Sequence, residues 1–253
     1  MLKLDSNQWN SVYNIFSFGL VSMLATTIYT LVSQQSVLAK YRSALVMSSM
    51  VTFIAGYHYM RIFNSFNEAS SNMTINISGE QGSFNEAYRY VDWLLTVPLL
   101  LVEVIAVLAL AKSVSRSLIM RLVPASAAMI ALGYPGEISN TQSTQILYGV
   151  LSTIPFLYIL YVLFVELTKS LDNQPEGVAA TVSRLRLLLV ATWGVYPISY
   201  ILGMGNGMAS AQQFVGVQVG YTIADILAKC VFGLTILKIA RMKSAAEGMA
   251  DVH

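Results

Sequence analysis

Long apolar runs separated by short polar segments dominate the pattern of this chain. Seven stretches stay mostly apolar over about 20 residues or more, the length that a helix needs to cross the hydrocarbon core of a bilayer. They cover residues 10–33, 40–63, 87–111, 115–135, 142–168, 180–203 and 213–240. The pattern predicts an all-α membrane protein, a bundle of seven transmembrane helices that forms one domain over residues 1–253.

The connection between the second and third stretches is longer than the others. It contains the segment SNMTINISGEQGS, in which Met73, Ile75 and Ile77 alternate with polar residues before Gly79. Alternation with a period of two, ending at a glycine, is typical of a β-hairpin. We therefore expect a short hairpin outside the membrane between the second and third helices.

The composition also indicates a lipid environment. Only 11% of the residues are charged, whereas a soluble domain carries about 25%. The net charge of +2 is too small to indicate binding to nucleic acid, and the single cysteine, Cys230, excludes an intrachain disulfide.

The distribution of Lys and Arg predicts how the chain crosses the bilayer. One set of helix ends carries only Lys3 and Arg61. The opposite ends carry Lys40, Arg42, Lys112, Arg116, Arg121, Lys169, Arg184, Arg186, Lys238, Arg241 and Lys243. Because basic residues concentrate on the cytoplasmic side, the amino terminus is expected outside and the carboxyl terminus in the cytoplasm.

Several ionisable residues fall inside the apolar stretches, where each costs several kcal/mol unless it is paired. They are His58 on the second helix, Arg89, Asp92 and Glu103 on the third, and Asp225 and Lys229 on the seventh. Such residues in a membrane indicate a functional site.

The third helix carries these residues in one stripe. At 100° per residue, Arg89, Asp92, Thr96 and Glu103 fall within about 60° of one another. Asp92 and Glu103 are separated by roughly 16 Å along the helix axis, about half the thickness of the hydrocarbon core. The two carboxyl groups are therefore expected toward opposite sides of the membrane.

The seventh helix places Asp225 and Lys229 one turn apart on one face. A buried ion pair that holds two helices together is one interpretation. The other is a covalent site, because lysine forms Schiff bases with carbonyl compounds. Two carboxylates, Asp92 and Asp225, together with Arg89 are more than a structural pair requires, which favours the second interpretation.

Three motifs resemble those of a known family. They are RYVDWLLTVPLLLVE over Arg89–Glu103, WGVYP over Trp193–Pro197 and DILAK over Asp225–Lys229. The chain resembles the microbial rhodopsins along all seven helices, and within them the proton-pumping proteorhodopsin and xanthorhodopsin group. The resemblance implies all-trans retinal bound covalently to Lys229 as a Schiff base, no metal, and ion transport rather than an enzymatic reaction in a bacterial plasma membrane.

The resemblance also implies roles for the charged residues. Asp92 would be the primary counterion and proton acceptor, Asp225 the second counterion, and Glu103 the cytoplasmic proton donor. The combination of Asp92, Thr96 and Glu103 resembles that of outward proton pumps, with Thr96 hydrogen-bonded near Asp92. Arg89 would lie just outside the counterions and modulate them.

His58 has two interpretations. A lone buried histidine is usually a polar group satisfied within the core. The family pattern instead places a histidine against the counterion, where His58 would raise or share the proton affinity of Asp92. The resemblance favours the second interpretation.

A retinal pocket follows from the same resemblance. Its walls would be Trp93, Met129, Gly133, Trp193, Tyr196 and Pro197, with Leu100 at the position that resembles green-absorbing members. Gly149 on the fifth helix corresponds to the glycine that opens a window for a carotenoid antenna in xanthorhodopsin-like proteins. A small residue that serves only helix packing is the equal alternative at Gly149.

Other functions stay open from the sequence. A photosensory rhodopsin or a light-gated channel would use the same chromophore, although a sensor gains nothing from the donor Glu103. A receptor or transporter without retinal is a further alternative, which Lys229 disfavours. The resemblance implies a homo-oligomer, a pentamer or hexamer, in the lipid bilayer with the proton as the transported ion.

Overall fold

The computed structural model describes residues 1–78, 81–139, 141–172, 174–203 and 210–248. The first five crossings begin with α1 (Ser6–Val32), α2 (Ala39–Ala69), α3 (Ala87–Leu108), α4 (Lys112–Glu137) and α5 (Gln142–Tyr161). The sixth crossing consists of α6 (Val178–Trp193) and α7 (Val195–Gly203), and the seventh of α8 (Ala211–Asp225), a π-helical turn (Ile226–Val231) and α9 (Phe232–Ala246). The predicted seven-helix bundle is therefore confirmed.

The helices form a closed ring around a polar interior. Helices α1 to α5 pack against one another in chain order, and the seventh crossing closes the ring against α1, α2 and α6. Five spans are long and apolar enough to cross a membrane by length and composition: Ser6–Ser36, Ala87–Leu108, Lys112–Glu137, Gln142–Ser170 and Val178–Ile198. Helix α2 and the seventh crossing instead bury many polar residues toward the ring interior.

Large apolar side chains cover the outside of the ring. Phe18, Ile28, Ile154, Leu187 and Ile201 are each more than half exposed. Inside, by contrast, Arg89, Asp92, Glu103, Asp225 and Lys229 are at most 2% exposed. Apolar residues outside and charged residues inside are the arrangement expected when lipid is the solvent.

The predicted hairpin is present. Strand β2 (Ser70–Ser71) pairs antiparallel with β3 (Thr74–Ile75), and Asn72 and Met73 form the turn with positive φ angles of 48° and 59°. Two-residue turns of this kind favour asparagine because it tolerates positive φ. Gly79, which follows the alternating residues in the sequence, lies outside the described residues.

A third strand completes this small sheet. Strand β1 (Leu2–Lys3) pairs antiparallel with β3 on the side opposite β2. The amino terminus therefore covers the same end of the bundle as the hairpin. We call this end the hairpin side, and the opposite end, with exposed Lys40, Lys112 and Arg241, the basic side.

Two basic residues predicted at the cytoplasmic ends are instead buried within the bundle. Lys243 Nζ donates to the carbonyl of Leu108, 2.5 Å away, and to Gln174 Oε1 at 2.7 Å. Arg186 donates to the carbonyl of Leu163 at 2.7 Å. Because Leu108 is the last residue of α3, Lys243 caps a helix end whose carbonyl groups lack a helical partner.

A lysine–carboxylate site beside an apolar cavity

Lys229 lies in the π-helical turn of the seventh crossing, with its amine inside the ring. The Nζ atom forms an ion pair with Asp92 Oδ2 and a second one with Asp225 Oδ1 at 2.8 Å. Helical turns of the π type occur often at functional sites. The structure thus brings together the lysine of α8–α9 and both carboxylates that the sequence suggested.

Asp225 is held by several donors besides Lys229. The hydroxyl of Tyr196 donates to Oδ1 and that of Tyr59 to Oδ2, each at 2.8 Å, and Trp93 Nε1 donates to Oδ1 at 3.3 Å. Arg89 NH1 lies 3.7 Å from Oδ2. Hydrogen bonds from so many donors stabilise the charged form of a carboxylate, so Asp225 is suited to remain ionised.

Asp92 has fewer partners. Its Oδ1 atom has no hydrogen-bond partner among the described residues, and His58 Nδ1 lies 3.8 Å from it. The same His58 nitrogen is 2.9 Å from the carbonyl of Ile54. Thr96 donates to the backbone carbonyl of Asp92 at 2.8 Å rather than to its carboxylate. Of the two acids, Asp92 therefore has the oxygen that is free to receive a proton.

Arg89 lies on the hairpin side of the two aspartates, as expected. Its NH2 atom donates to Gln218 Oε1 at 2.8 Å, and its NH1 atom lies 3.4 Å from the hydroxyl of Tyr59. The guanidinium also stacks near the rings of Phe16 and Tyr221, 5.7 Å and 5.3 Å from their centres. These contacts fix a positive charge between the aspartates and the hairpin side.

Glu103 lies on the other side of Asp92, toward the basic side of the bundle. Its side chain is fully buried, and Leu101 and Val104, near it along α3, are buried apolar residues. The Ser48 hydroxyl lies beside the carboxyl group, yet both Glu103 oxygens lack a hydrogen-bond partner in the part of the chain that the structure describes. An apolar site without partners disfavours the charged form of a carboxyl group.

The interior contains a cavity of about 320 Å³ that Lys229 and Asp225 help to line. Every pocket residue implied by the resemblance lines it: Trp93, Leu100, Met129, Gly133, Gly149, Trp193, Tyr196, Pro197 and Lys229. The Trp93 and Tyr196 rings lie 4.6 Å apart between their centres. The walls of the cavity are thus mostly apolar and aromatic, and they include the amine of Lys229.

The cavity reaches the outer surface of the ring near Gly149. Ile146 and Val150 on α5 and Ile201 on α7 line the cavity and are also exposed, at 49%, 57% and 63%. Gly149 lies between Ile146 and Val150 in α5. An apolar molecule could therefore approach the cavity from the lipid side at this position.

Sequence reasoning missed three polar residues that contact the site: Tyr59, Gln218 and Glu86. Gln218 donates to Glu86 Oε1 at 2.6 Å, and Tyr59 contacts both Asp225 and Arg89. A signal for Gln218 was available, because Gln218, Thr222 and Asp225 recur at helical spacing on one face of an otherwise apolar segment.

This fold and site define a seven-helix membrane protein in which a buried lysine lines an aromatic cavity. A family model described as bacteriorhodopsin-like protein matches residues 11–242, and the chain belongs to this family, the microbial rhodopsins.

Individual proteins of this family are similar to the chain over nearly its whole length. The green-light absorbing proteorhodopsin of Gamma-proteobacterium EBAC31A08 is 30% identical over 247 residues, covering 96% of this chain and 90% of that protein. The crystal structure of xanthorhodopsin, a light-driven ion pump with dual chromophore, is 44% identical with a TM-score of 0.92, covering 99% of this chain and all of that one. Thermophilic rhodopsin is 42% identical, also with a TM-score of 0.92, over 98% of this chain and all of that one.

Members of this family bind retinal, and the residues present fit that group. Retinal needs an amine for covalent attachment, which Lys229 provides, and apolar walls for its polyene, which Trp93, Trp193 and Tyr196 provide. A positive charge on the linking nitrogen needs a buried counter-charge, and Asp92 and Asp225 are in contact with Lys229 Nζ.

Proposed function

We propose that this protein is a light-driven outward proton pump. When bound to Lys229 Nζ, retinal supplies the absorption of visible light and the light-driven change of shape that alters the surroundings of this nitrogen. The protein's own residues then determine where the proton held at Nζ goes and from where it is replaced.

The observation that carries this proposal is the asymmetry around Lys229. On the hairpin side its nitrogen touches carboxylates that connect to Arg89, whereas toward the basic side lies Glu103, a buried acid whose oxygens have no hydrogen-bond partner among the described residues. A pump needs distinct groups for release and for return of the proton on opposite sides of the central nitrogen. This arrangement supplies both groups.

Asp92 is the proposed acceptor and Asp225 the second counterion. Asp92 has an oxygen without a hydrogen bond, while Asp225 is held in its charged form by Tyr59 and Tyr196. Thr96 donates to the backbone carbonyl of Asp92, and His58, whose Nδ1 atom lies 3.8 Å from the Asp92 carboxylate, is the proposed neighbour that modulates this acid. The proton of Nζ therefore moves to Asp92 and toward the hairpin side.

Glu103 is the proposed donor that returns a proton to Lys229 Nζ. Its apolar surroundings favour the protonated form until the nitrogen needs a proton. Each proton moved outward works against the membrane potential by roughly 2.3 kcal/mol per 100 mV. A donor separated from the acceptor by roughly 16 Å along α3 prevents the released proton from simply returning.

The remaining proposals concern the membrane. We place the hairpin side outside and the basic side in the cytoplasm of a bacterial inner membrane, because exposed Lys and Arg cluster on the basic side. We propose a carotenoid antenna at the opening beside Gly149, supported by the exposed cavity wall there. By resemblance to related pumps, the assembly would be a pentamer or hexamer.

A light-gated channel and a photosensor are the rivals to this proposal. We would measure the photocurrent of the retinal-loaded protein in a voltage-clamped membrane. An outward proton current that persists at zero and at opposing voltage supports the pump. A current that reverses at the proton equilibrium potential indicates a channel, and a photocycle without current indicates a sensor.

A further inference from the structure

Glu86, the residue immediately before α3, has no role in the mechanism so far. It lies on the hairpin side and is partly buried, and its Oε1 atom accepts a hydrogen bond from Gln218 Nε2 at 2.6 Å. Burial raises the pKa of the Glu86 carboxyl above its ordinary value of 4.5. A carboxyl group with a raised pKa exchanges protons more readily near neutral pH than an ordinary surface acid does.

Glu86 is the end of a chain of contacts that begins at Lys229. Lys229 pairs with Asp225, whose Oδ2 atom accepts from the Tyr59 hydroxyl at 2.8 Å. Arg89 NH1 lies 3.4 Å from that hydroxyl, and its NH2 atom donates to Gln218 Oε1 at 2.8 Å. Gln218 completes the connection to Glu86.

The basic side lacks such a chain. Both oxygens of Glu103 have no hydrogen-bond partner among the described residues. A route of polar groups therefore connects the site with the hairpin side only, as far as the described residues show. A route that ends in a carboxyl group can hold a proton at its exit.

Charged groups around Glu86 support this role. Arg89 interacts with it electrostatically and favours its charged form, whereas burial favours the neutral form. Glu137, which accepts from the Tyr90 hydroxyl at 3.3 Å, is a second carboxyl group within electrostatic reach of Glu86. Burial outweighs Gln218 and Arg89, so the pKa of Glu86 is raised, which suits a group that takes up a proton from the site before releasing it.

We propose that Glu86 is the exit group of the outward proton path. The O–H bond of protonated Asp92 breaks, Glu86 takes up the proton on a carboxylate oxygen, and Glu86 then releases it to water outside. Solvent carries the proton between the two acids, because the Arg89 guanidinium does not deprotonate and Tyr59 donates to Asp225 rather than to Asp92. Arg89 and Gln218 position the exit group. This inference rests on the proposed pump.

The test uses purified, retinal-loaded protein in lipid nanodiscs excited by a laser flash. Visible absorbance follows the protonation of Asp92, and a water-soluble pH dye follows protons in the bulk. We expect Glu86→Gln to slow both the loss of the Asp92 proton and its appearance in the bulk at least severalfold. Glu68→Gln, a change of an exposed acid on the same side, should leave both unchanged.

Two further measurements separate this role from a structural one. A small weak acid in the buffer should restore the rate in Glu86→Gln, and Glu86→Asp should retain part of it. In the wild type, infrared difference spectra should show a transient carboxyl band in addition to those of Asp92 and Glu103, and Glu86→Gln should lack this additional band. These signatures do not follow from a merely misfolded variant.

Unchanged release in Glu86→Gln, or persistence of the additional carboxyl band in this variant, would overturn the exit role. Wild-type protein that releases no proton at all would instead overturn the pump itself. The two failures are therefore distinguishable in one set of samples.

Discussion

Asp92 and Glu103 lie buried on helix α3, but only Asp92 contacts a cation. Asp92 is paired with Lys229, whereas neither oxygen of Glu103 has a hydrogen-bond partner in the described ranges. Two carboxyl groups on the same helix therefore have different surroundings, one beside a cation and one without a polar partner. A carboxylate beside a cation is stabilised as an anion, and a carboxyl group in an apolar site is stabilised as the neutral acid. This difference suits the two acids to the opposite roles that we propose for them.

Removing the central lysine should abolish the pigment. In Lys229→Ala, all-trans retinal has no amine to bind, and we expect no visible absorption band after retinal is added. Two buried carboxylates also lose their counter-charge, so the variant should be less stable by about 3–5 kcal/mol. Lys238→Ala, which changes an exposed lysine on α9, should form the pigment normally. A visible band in Lys229→Ala would contradict the assignment of the attachment site.

Replacing the proposed donor should slow the return of the proton. Without an ionisable group at position 103, Glu103→Gln should recover its dark absorption about 10²-fold more slowly after a flash, the lower range for a positioned proton-transfer group. A small weak acid in the buffer should restore much of the rate. The control is Glu176→Gln, an exposed acid on the basic side. Recovery at the wild-type rate in Glu103→Gln would place the donor elsewhere.

Closing the opening beside Gly149 should separate carotenoid binding from retinal binding. We expect a carotenoid added to the retinal-loaded protein to contribute its own bands to the excitation spectrum of the photocycle. Gly149→Trp should remove these bands because the indole fills the opening. Leu147→Trp, at an exposed position of α5 that does not line the cavity, should retain them. If the wild type shows no carotenoid bands, Gly149 serves helix packing.

The basic side should lose a stabilising contact at acid pH. Glu247 pairs with Lys40 and Tyr41, which joins the end of α9 to the start of α2. The hydrogen bond from Lys40, followed by that from Tyr41, lowers the pKa of Glu247 from its ordinary value of 4.5. Because the folded-state pKa is depressed, the contribution is complete above that value and is lost as the pH falls through the lowered pKa.

Thermal unfolding of Glu247→Gln measures this contact. An exposed ion pair contributes about 1 kcal/mol or less, so the variant should melt slightly below the wild type near neutral pH. The difference should disappear in acid. A difference that is equal at both pH values would show that the contact does not depend on the charge of Glu247.

Hydrophobic runs predicted most of the fold because each helix needs about 20 mostly apolar residues to cross the lipid. The seven helices, the partners of Lys229 and the walls of the cavity followed from sequence positions and motifs. The position of the hairpin turn did not follow from the sequence, because Asn72 and Met73 form it with positive φ and neither is a glycine.

Sequence patterns did not predict the contacts between helices that are distant in the chain. Arg186 and Lys243 were predicted only to lie on the side rich in basic residues, and the sequence did not indicate that they donate to carbonyl groups of other helices. Glu86 lies directly before α3 and belongs to no motif that would single it out. Its partner Gln218 lies on α8, and nothing local in either segment specifies that they meet.

The most direct test of the pump is the pH of an unbuffered suspension of cells that express the protein with retinal. Light should acidify the medium, a protonophore should abolish the change, and Asp92→Asn should eliminate it while keeping a visible band. Alkalinisation that a protonophore enhances would contradict the account, because it would show that another ion moves and protons follow passively.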